Sequence, residues 1–299
     1  MNKTKIEWCD STWNPVTGCL HGCPYCYARR IANRFAGCDK NSTYGAYHQA
    51  TWKRVNPDST RESAIFEVDA KCPPINIRFD PTTQKQKTSV APYPWGFQPT
   101  LRRDRMNDFL HSNGRTIFVC SMADLFGEWV PDSWIEEVFA ACEKAPQHRY
   151  IFLTKNPARY LQLARAGKLP ARDNMWYGTT ATTPDEQFFW GGAWHTFVSI
   201  EPILRDYSSE IGHMCDTFAQ WVIIGAETGK RKGKVIPERE WIRAIVQECY
   251  DSCITVFMKD SLIPIVGEEY MIRQIPWIDG IEKDEAAIEL WKPEFVYGE

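Results

Sequence analysis

No apolar run in the sequence approaches the ~18 residues that a membrane-spanning helix needs, which excludes a helical membrane protein. Lys3 and Lys5 are followed by no hydrophobic stretch, so the start does not read as a secretory signal. Low-complexity tracts and sequence repeats are also missing. With 43% hydrophobic and 24% charged residues, the composition excludes a chain disordered as a whole. The class that remains is a cytoplasmic globular protein with no membrane association, in which the sequon Asn41-Ser42-Thr43 carries no glycan. Its 299 residues are twice a usual domain length, yet one α/β barrel fills them. A strong net charge is lacking as well, at −3, but the charge is uneven. Residues 1–120 hold 17 Lys+Arg against 10 Asp+Glu, a surplus of +7, and residues 121–299 hold 18 against 28, a deficit of −10. A basic half suits an anionic partner, although such a face is commonly only solvated.

What recurs is a pattern: a short apolar run, a polar turn, then an amphipathic stretch. The apolar runs predict buried strands at Thr116–Ala123, Arg149–Thr154, Met175–Thr180, His195–Ile200, Trp221–Gly225 and Ile254–Met258. Weaker runs lie at Thr12–Gly18 and Phe97–Leu101. Helices are expected between them. One carries Ala28, Ile31, Ala32 and Phe35 on one face and stops at Gly37. Others open at Pro131, Pro157 and Pro237, since proline suits the first turn. The alternation predicts a parallel sheet curled into a (β/α) barrel, partial or full, of six to eight strands. The expectation is one domain over 1–299, with an insertion at about 38–96 and a C-terminal tail at about 264–299 that holds Glu282, Asp284, Glu285 and Glu289.

Eleven cysteines are many for a reducing compartment, where disulfides are rare. Cys72, Cys120, Cys142, Cys215, Cys249 and Cys253 stand singly or in apolar surroundings and read as small buried hydrophobes. Cys19, Cys23 and Cys26 differ. Spaced C-x3-C-x2-C on a loop between a strand and a helix, they can converge on one metal centre. Thiolates select zinc or iron–sulfur clusters. A closed site takes four ligands, so three leave one metal position open for chemistry. A zinc site completed by Cys9 or Cys38 is the alternative, giving a non-enzymatic zinc-stabilised binding module; His21 lies badly placed between two of the cysteines.

The triplet, with Tyr25 before its last cysteine, resembles the radical S-adenosylmethionine (radical SAM) enzymes. The strings WNPVTGC and GCPYCYA, together with SMADLF, FLTKNP, VSIEP and GAETG, resemble a branch associated with phages and bacteria, the three-Cys-motif family. The resemblance covers residues 6–260 in patches. It implies a radical-SAM-like partial or full barrel. Cys19, Cys23 and Cys26 would ligate three irons of a 4Fe–4S cluster, and SAM would chelate the fourth. Reductive cleavage of SAM would give a 5′-deoxyadenosyl radical that abstracts hydrogen from a substrate. An electron donor such as flavodoxin or ferredoxin would supply the electron. One departure stands out: no Gly-Gly-Glu-like motif occurs around Phe97–Arg105. Either SAM's amino group is held differently or the strand register departs from this reading.

In barrels the site lies at the carboxyl ends of the strands. The polar residues there are Ser121, Asp124, Thr154, Lys155, Glu201 and Glu227, the candidates for holding the cofactor. Lys155 would pair with SAM's carboxylate, and Ser121, Asp124, Thr154 or Glu201 would bond its amine or ribose. Asp124 also reads as a helix cap. Glu227 and Lys259 would lie nearer the substrate. Residues 225–230 and 229–234 mimic a phosphate loop but have three residues between the glycines, where that motif needs four. Lys230, Arg231, Lys232 and Lys234 remain a compact basic loop. Tyr44, Tyr47, His48, Trp52, Lys53 and Arg54, then Trp95, Arg102, Arg103 and Arg105, interleave aromatics with cations. That pattern suits stacked bases and a phosphate backbone; an aromatic lid packed on the barrel explains it equally well. Arg102, Arg103, Lys230, Arg231, Lys232 and Lys259 are the substrate candidates. The substrate reading is a nucleic acid or nucleotide, undergoing modification or repair; the alternative is a peptide or partner protein.

Overall fold

The computed structural model describes residues 2–36, 52–56, 58–60, 63–69, 76–89, 92–93, 95–208, 219–278 and 285–291. Tyr44, Tyr47, His48, Cys38, Cys72, Cys215, Glu282 and Asp284, and the Trp52 and Glu285 side chains, lie outside the described part. The chain divides into two compact units, one of Met1–Lys5 with Cys9–Arg159 and one of Ile6–Trp8 with Tyr160–Glu299.

The first unit contains β1 (Asn2–Lys3), β2 (Ser11–Trp13), β3 (Val16–Thr17), β4 (Trp52–Arg54), β5 (Phe66–Val68), β6 (Asn76–Asp80), β7 (Lys85–Ser89), β8 (Thr100–Arg102), β9 (Thr116–Val119) and β10 (Arg149–Thr154). β2, β9 and β10 run parallel, with Thr12 opposite Phe118 and Ile151 opposite Phe118, and β1 pairs antiparallel to β2. β9 and β10 read as near-continuous apolar runs because their residues are almost all buried. The expected strand Thr12–Gly18 is broken instead at Asn14 and Pro15. Its second half, β3, leaves the main sheet and joins a small one in the order β3–β8–β5–β4. β8 therefore is not the second strand of the parallel sheet; the strand that follows β2 there is β9. Phe97–Arg105 thus does not follow the second parallel strand, where the resemblance places a SAM-amine motif. β9 also stops short of its expected end, because Cys120 takes a left-handed backbone, φ 59°.

Two helices pack here, and a third begins here and runs into the second unit. α1 (Tyr27–Arg34) buries Ala28 and Ala32 against Phe97 and Met122. Ile31 and Phe35, expected on the same buried face, are instead exposed, at 39% and 50%. α2 (Asp132–Glu143) has Pro131 as its N-cap and buries Trp134, Ile135, Val138, Phe139 and Cys142. α3 (Pro157–Arg165) opens on its proline.

The second unit contains β11 (Met175–Thr180), β12 (His195–Ile200), β13 (Trp221–Ile224) and β14 (Thr255–Met258), all parallel and in chain order. α4 (Arg239–Asp251) packs Ile242, Ile245, Val246 and Cys249 into the core beside Val222, Ile224, Val256 and Met258. It starts two residues after Pro237, with Glu238 as N-cap. Trp221 is an aromatic hub, in contact with the rings of Trp8, Trp176, Phe197, Phe257 and Trp277. Within the expected tail, helix Glu285–Trp291 buries Trp291, whose Nε1–H donates to the Tyr270 carbonyl at 2.9 Å. Seven parallel strands, three in one unit and four in the other, with flanking helices, make the fold class a partial (β/α) barrel.

Candidate functional site

In the first unit the three cysteines lie on the loop from β3 to α1. Gly18 starts it with φ 87°, and a Cβ there would collide with the Gln98 carbonyl, so only glycine fits. The backbone N–H of Gly18 donates to the Met122 carbonyl at 2.8 Å and that of Cys19 to the Phe97 carbonyl at 3.1 Å. Cys26 is the N-cap of α1: its Sγ accepts from the Arg29 N–H at 3.3 Å. A helix N-terminus favours negative charge on the group it faces. Arg29 lays its guanidinium over the Phe97 ring at 5.3 Å and donates to the Cys19 carbonyl at 3.3 Å. Cys19, Cys23 and Cys26 are all of intermediate burial. Burial pushes the Cys19 thiol up to about 12, a hydrogen bond from the His21 N–H opposing it, and Cys23 and Cys26 raise it further. Burial also raises Cys23, against the charge of Lys155.

Asp124 anchors this loop. It is buried, and both its oxygens are taken up: Oδ1 accepts from the Thr154 hydroxyl at 2.7 Å and the Phe126 N–H at 3.0 Å, Oδ2 from the Lys155 N–H at 2.9 Å and His21 Nε2 at 2.7 Å. His21 also sets its ring edge-on to Trp129, 4.9 Å between centroids. Its place between the cysteines, poor for a metal ligand, is thus good for a tether. Ser121 donates to Asn14 Oδ1 at 3.2 Å, and its carbonyl accepts from the Tyr27 hydroxyl at 2.8 Å. Lys155 reaches over the Tyr25 ring, Nζ 5.4 Å from its centroid. Sequence reasoning gave Asn14, Tyr27 and Arg29 no role and weighed His21 only as a badly placed metal ligand. Their partners are remote in the chain, so spacing gave no signal for them.

In the second unit Glu201 and Lys259 follow β12 and β14 and form an ion pair, Nζ to Oε1 2.5 Å, both partly exposed. Gly225, at the end of β13, leaves room for them: a Cβ there would stand 3.3 Å from each of Glu201 Cγ, Lys259 Cδ and Ser261 Oγ. Glu7, which sequence reasoning missed, joins this group. Its Oε1 accepts from the Asp260 N–H at 3.2 Å, while its buried Oε2 has no hydrogen-bond partner. Burial raises the Glu7 carboxyl, with Lys259 pulling it down. Glu227 is buried and bound through both oxygens to Arg231, each at 2.7 Å.

The cations read as substrate contacts divide in two. Arg102 is buried, forked onto Asp104 at 2.9 and 2.8 Å and donating to the Pro92 carbonyl. Arg103 bridges Glu67, Asp69 and Glu137. Both forks thus serve the first unit's own acids. Lys230 and Lys232 are exposed.

Among the described residues, no helix is long and apolar enough to cross a membrane, and no group of three or more His, Cys, Asp and Glu side chains is set to hold a metal ion as it stands. The cysteine triplet fits a soft metal by its donor chemistry and by the tight loop that carries it, not by a preset geometry.

Residues 3–262 match a family model described as a protein of unknown function, DUF5131, and the chain belongs to that family. No curated protein matches. Among solved structures, spore photoproduct lyase complexed with dinucleoside spore photoproduct is similar at 11% identity, with a TM-score of 0.41, over 83% of this chain and 62% of that one. The chain thus spans less than two thirds of that structure's length.

Proposed function

We propose that the chain is a radical SAM enzyme. One observation carries this reading: three half-buried thiols, spaced C-x3-C-x2-C, share a loop that runs into the N-terminus of α1. Cys19, Cys23 and Cys26 would hold three irons of a 4Fe–4S cluster and leave the fourth for SAM. When bound, that group supplies reductive cleavage of SAM and hydrogen abstraction from the substrate. The chain's own residues hold the site. Asp124 and Thr154 fix the loop through His21 rather than reaching a ligand themselves, because their polar atoms are already engaged. Lys155, over Tyr25 and acting on Cys23, is the cation of this unit suited to a carboxylate. In the second unit Glu201, Lys259 and the spare Oε2 of Glu7 form a polar group that can orient a ligand's amines or hydroxyls.

A nucleotide or nucleic-acid substrate is supported by the +7 surplus of residues 1–120 (17 Lys+Arg against 10 Asp+Glu) and by the exposed Lys230 and Lys232. The inward pairing of Arg102 and Arg103 takes two cations from that account and favours the second reading, a peptide or partner protein. Heparin retention that falls steeply with salt supports the first and its lack the second. The class itself is tested by anaerobic reconstitution with iron, sulfide, SAM and dithionite. The expected product is 5′-deoxyadenosine; a colourless zinc protein with no product overturns the reading.

A further inference from the structure

Arg29 meets the thiol loop at two of its three cysteines. Its backbone N–H donates to Cys26 Sγ at 3.3 Å, and its Nη2 donates to the Cys19 carbonyl at 3.3 Å. The guanidinium lies over the Phe97 ring, 5.3 Å from the centroid. Phe97 belongs to the small apolar cluster against which Cys19 and Cys26 both pack, and its carbonyl accepts from the Cys19 N–H at 3.1 Å. Ring and loop together fix where the charge stands. Among the described residues no acid pairs with Arg29, and the first turn of α1 contains none. Its Nε–H is buried without a hydrogen-bond partner, and such a donor calls for an explanation. Lys155 is the cation acting on Cys23; Arg29 is the one beside Cys19 and Cys26.

We propose that Arg29 is a positioning residue that holds a fixed positive charge against Cys19 and Cys26 and thereby raises the reduction potential of the cluster they ligate. The proposal rests on the radical SAM reading, which requires the cluster, and adds what sets its potential. One-electron reduction makes an iron–sulfur cluster more negative by one charge, so a cation held beside it favours the reduced form. Arginine suits the task. It stays charged at any working pH, and its planar fork stacks on a ring while donating at its edge. Half-buried and pinned, it is screened less than a mobile surface cation. The competing view is that Arg29 only braces the loop. A brace acts on cluster uptake and leaves the potential alone, so the two views separate.

The test is a titration of the anaerobically reconstituted protein with dithionite at controlled potential, followed by electron paramagnetic resonance, with iron per chain measured in parallel. Arg29→Gln should hold as much iron as wild type but show a more negative midpoint potential. Arg29→Lys keeps the charge on a different head group and should lie between the two. The backbone bond to Cys26 survives in both variants. Loss of iron in Arg29→Gln alone, with Arg29→Lys loaded, also supports the proposal, because the charge is then what the cluster needs. An Arg29→Gln protein with full iron and the wild-type potential overturns the proposal alone. So does loss of iron in both variants, which makes Arg29 a brace and no more. A wild-type protein that takes up no cluster overturns this proposal together with the reading beneath it.

Discussion

Two groups of polar side chains stand at the carboxyl ends of parallel strands, one in each unit, and they are built on opposite plans. In the first unit Asp124 spends both oxygens on four donors, and Thr154, Lys155 and His21 are tied to it. In the second, Lys259 and Glu201 pair in partial exposure and Glu7 keeps a buried oxygen without a partner. Buried polar groups that satisfy one another rigidify what they hold, whereas an unmatched one retains capacity for a ligand. The first group is therefore a scaffold for the thiol loop, and the second is the one we propose for a ligand's polar atoms.

The sharpest way to break that division is to count iron. Cys19→Ala, Cys23→Ala and Cys26→Ala should each abolish cluster uptake, while Glu201→Gln and Lys259→Met should leave iron content unchanged. Full uptake in Cys23→Ala would erase the distinction. Next comes stability. Asp124→Ala leaves the Phe126 N–H, the Lys155 N–H and the Thr154 hydroxyl without their acceptor. At about 1–3 kcal/mol for each unsatisfied buried group, urea unfolding should show a loss of roughly 3 kcal/mol or more. Lys259→Met, which removes a partly exposed pair, should cost about 1 kcal/mol or less in the same assay. Equal losses would mean that the two groups are one kind of structure. Gly18→Ala should fall between them, at more than about 1 kcal/mol, because the residue needs positive φ and the Gln98 carbonyl blocks a Cβ.

The smallest effect is a pH dependence. Burial raises the Glu7 carboxyl above its ordinary 4.5, so the folded chain holds that proton to a higher pH than the unfolded chain does. Its contribution is full below about 4.5 and is lost as pH rises through the folded value. Glu7→Gln cannot ionise and escapes this loss. The variant should gain on wild type in urea midpoint between pH 4 and pH 7; a difference independent of pH would mean that Glu7 is already matched.

Much of the fold was legible because buried parallel strands are written as unbroken apolar runs: Arg149–Thr154, Met175–Thr180 and His195–Ile200 match their strands end to end. Pro131 and Pro157 marked helix starts for the steric reason given by their fixed φ. The breaks were not legible. Cys120 ends β9 by its backbone conformation, and β3 leaves the sheet at Asn14 and Pro15 inside an otherwise strand-like run. Ile31 and Phe35 fit a helical period yet face outward, because the buried face of α1 needs only two alanines. At the site, residue type located the thiol loop and the strand-end polar residues. Their pairing was out of reach, since Asp124 with His21, or Glu7 beside Asp260, joins residues about a hundred or more apart in the chain.

The central claim is that Cys19, Cys23 and Cys26 alone hold an iron–sulfur cluster with one iron open. Iron and acid-labile sulfide, measured per chain after anaerobic reconstitution of wild type and a variant that retains only these three of its cysteines, test it most directly. Both proteins should hold close to four irons and four sulfides, as a 4Fe–4S cluster requires, with an electron paramagnetic resonance signal that changes when SAM is added. Zinc in place of iron, or loss of the cluster in the three-cysteine variant, would contradict it.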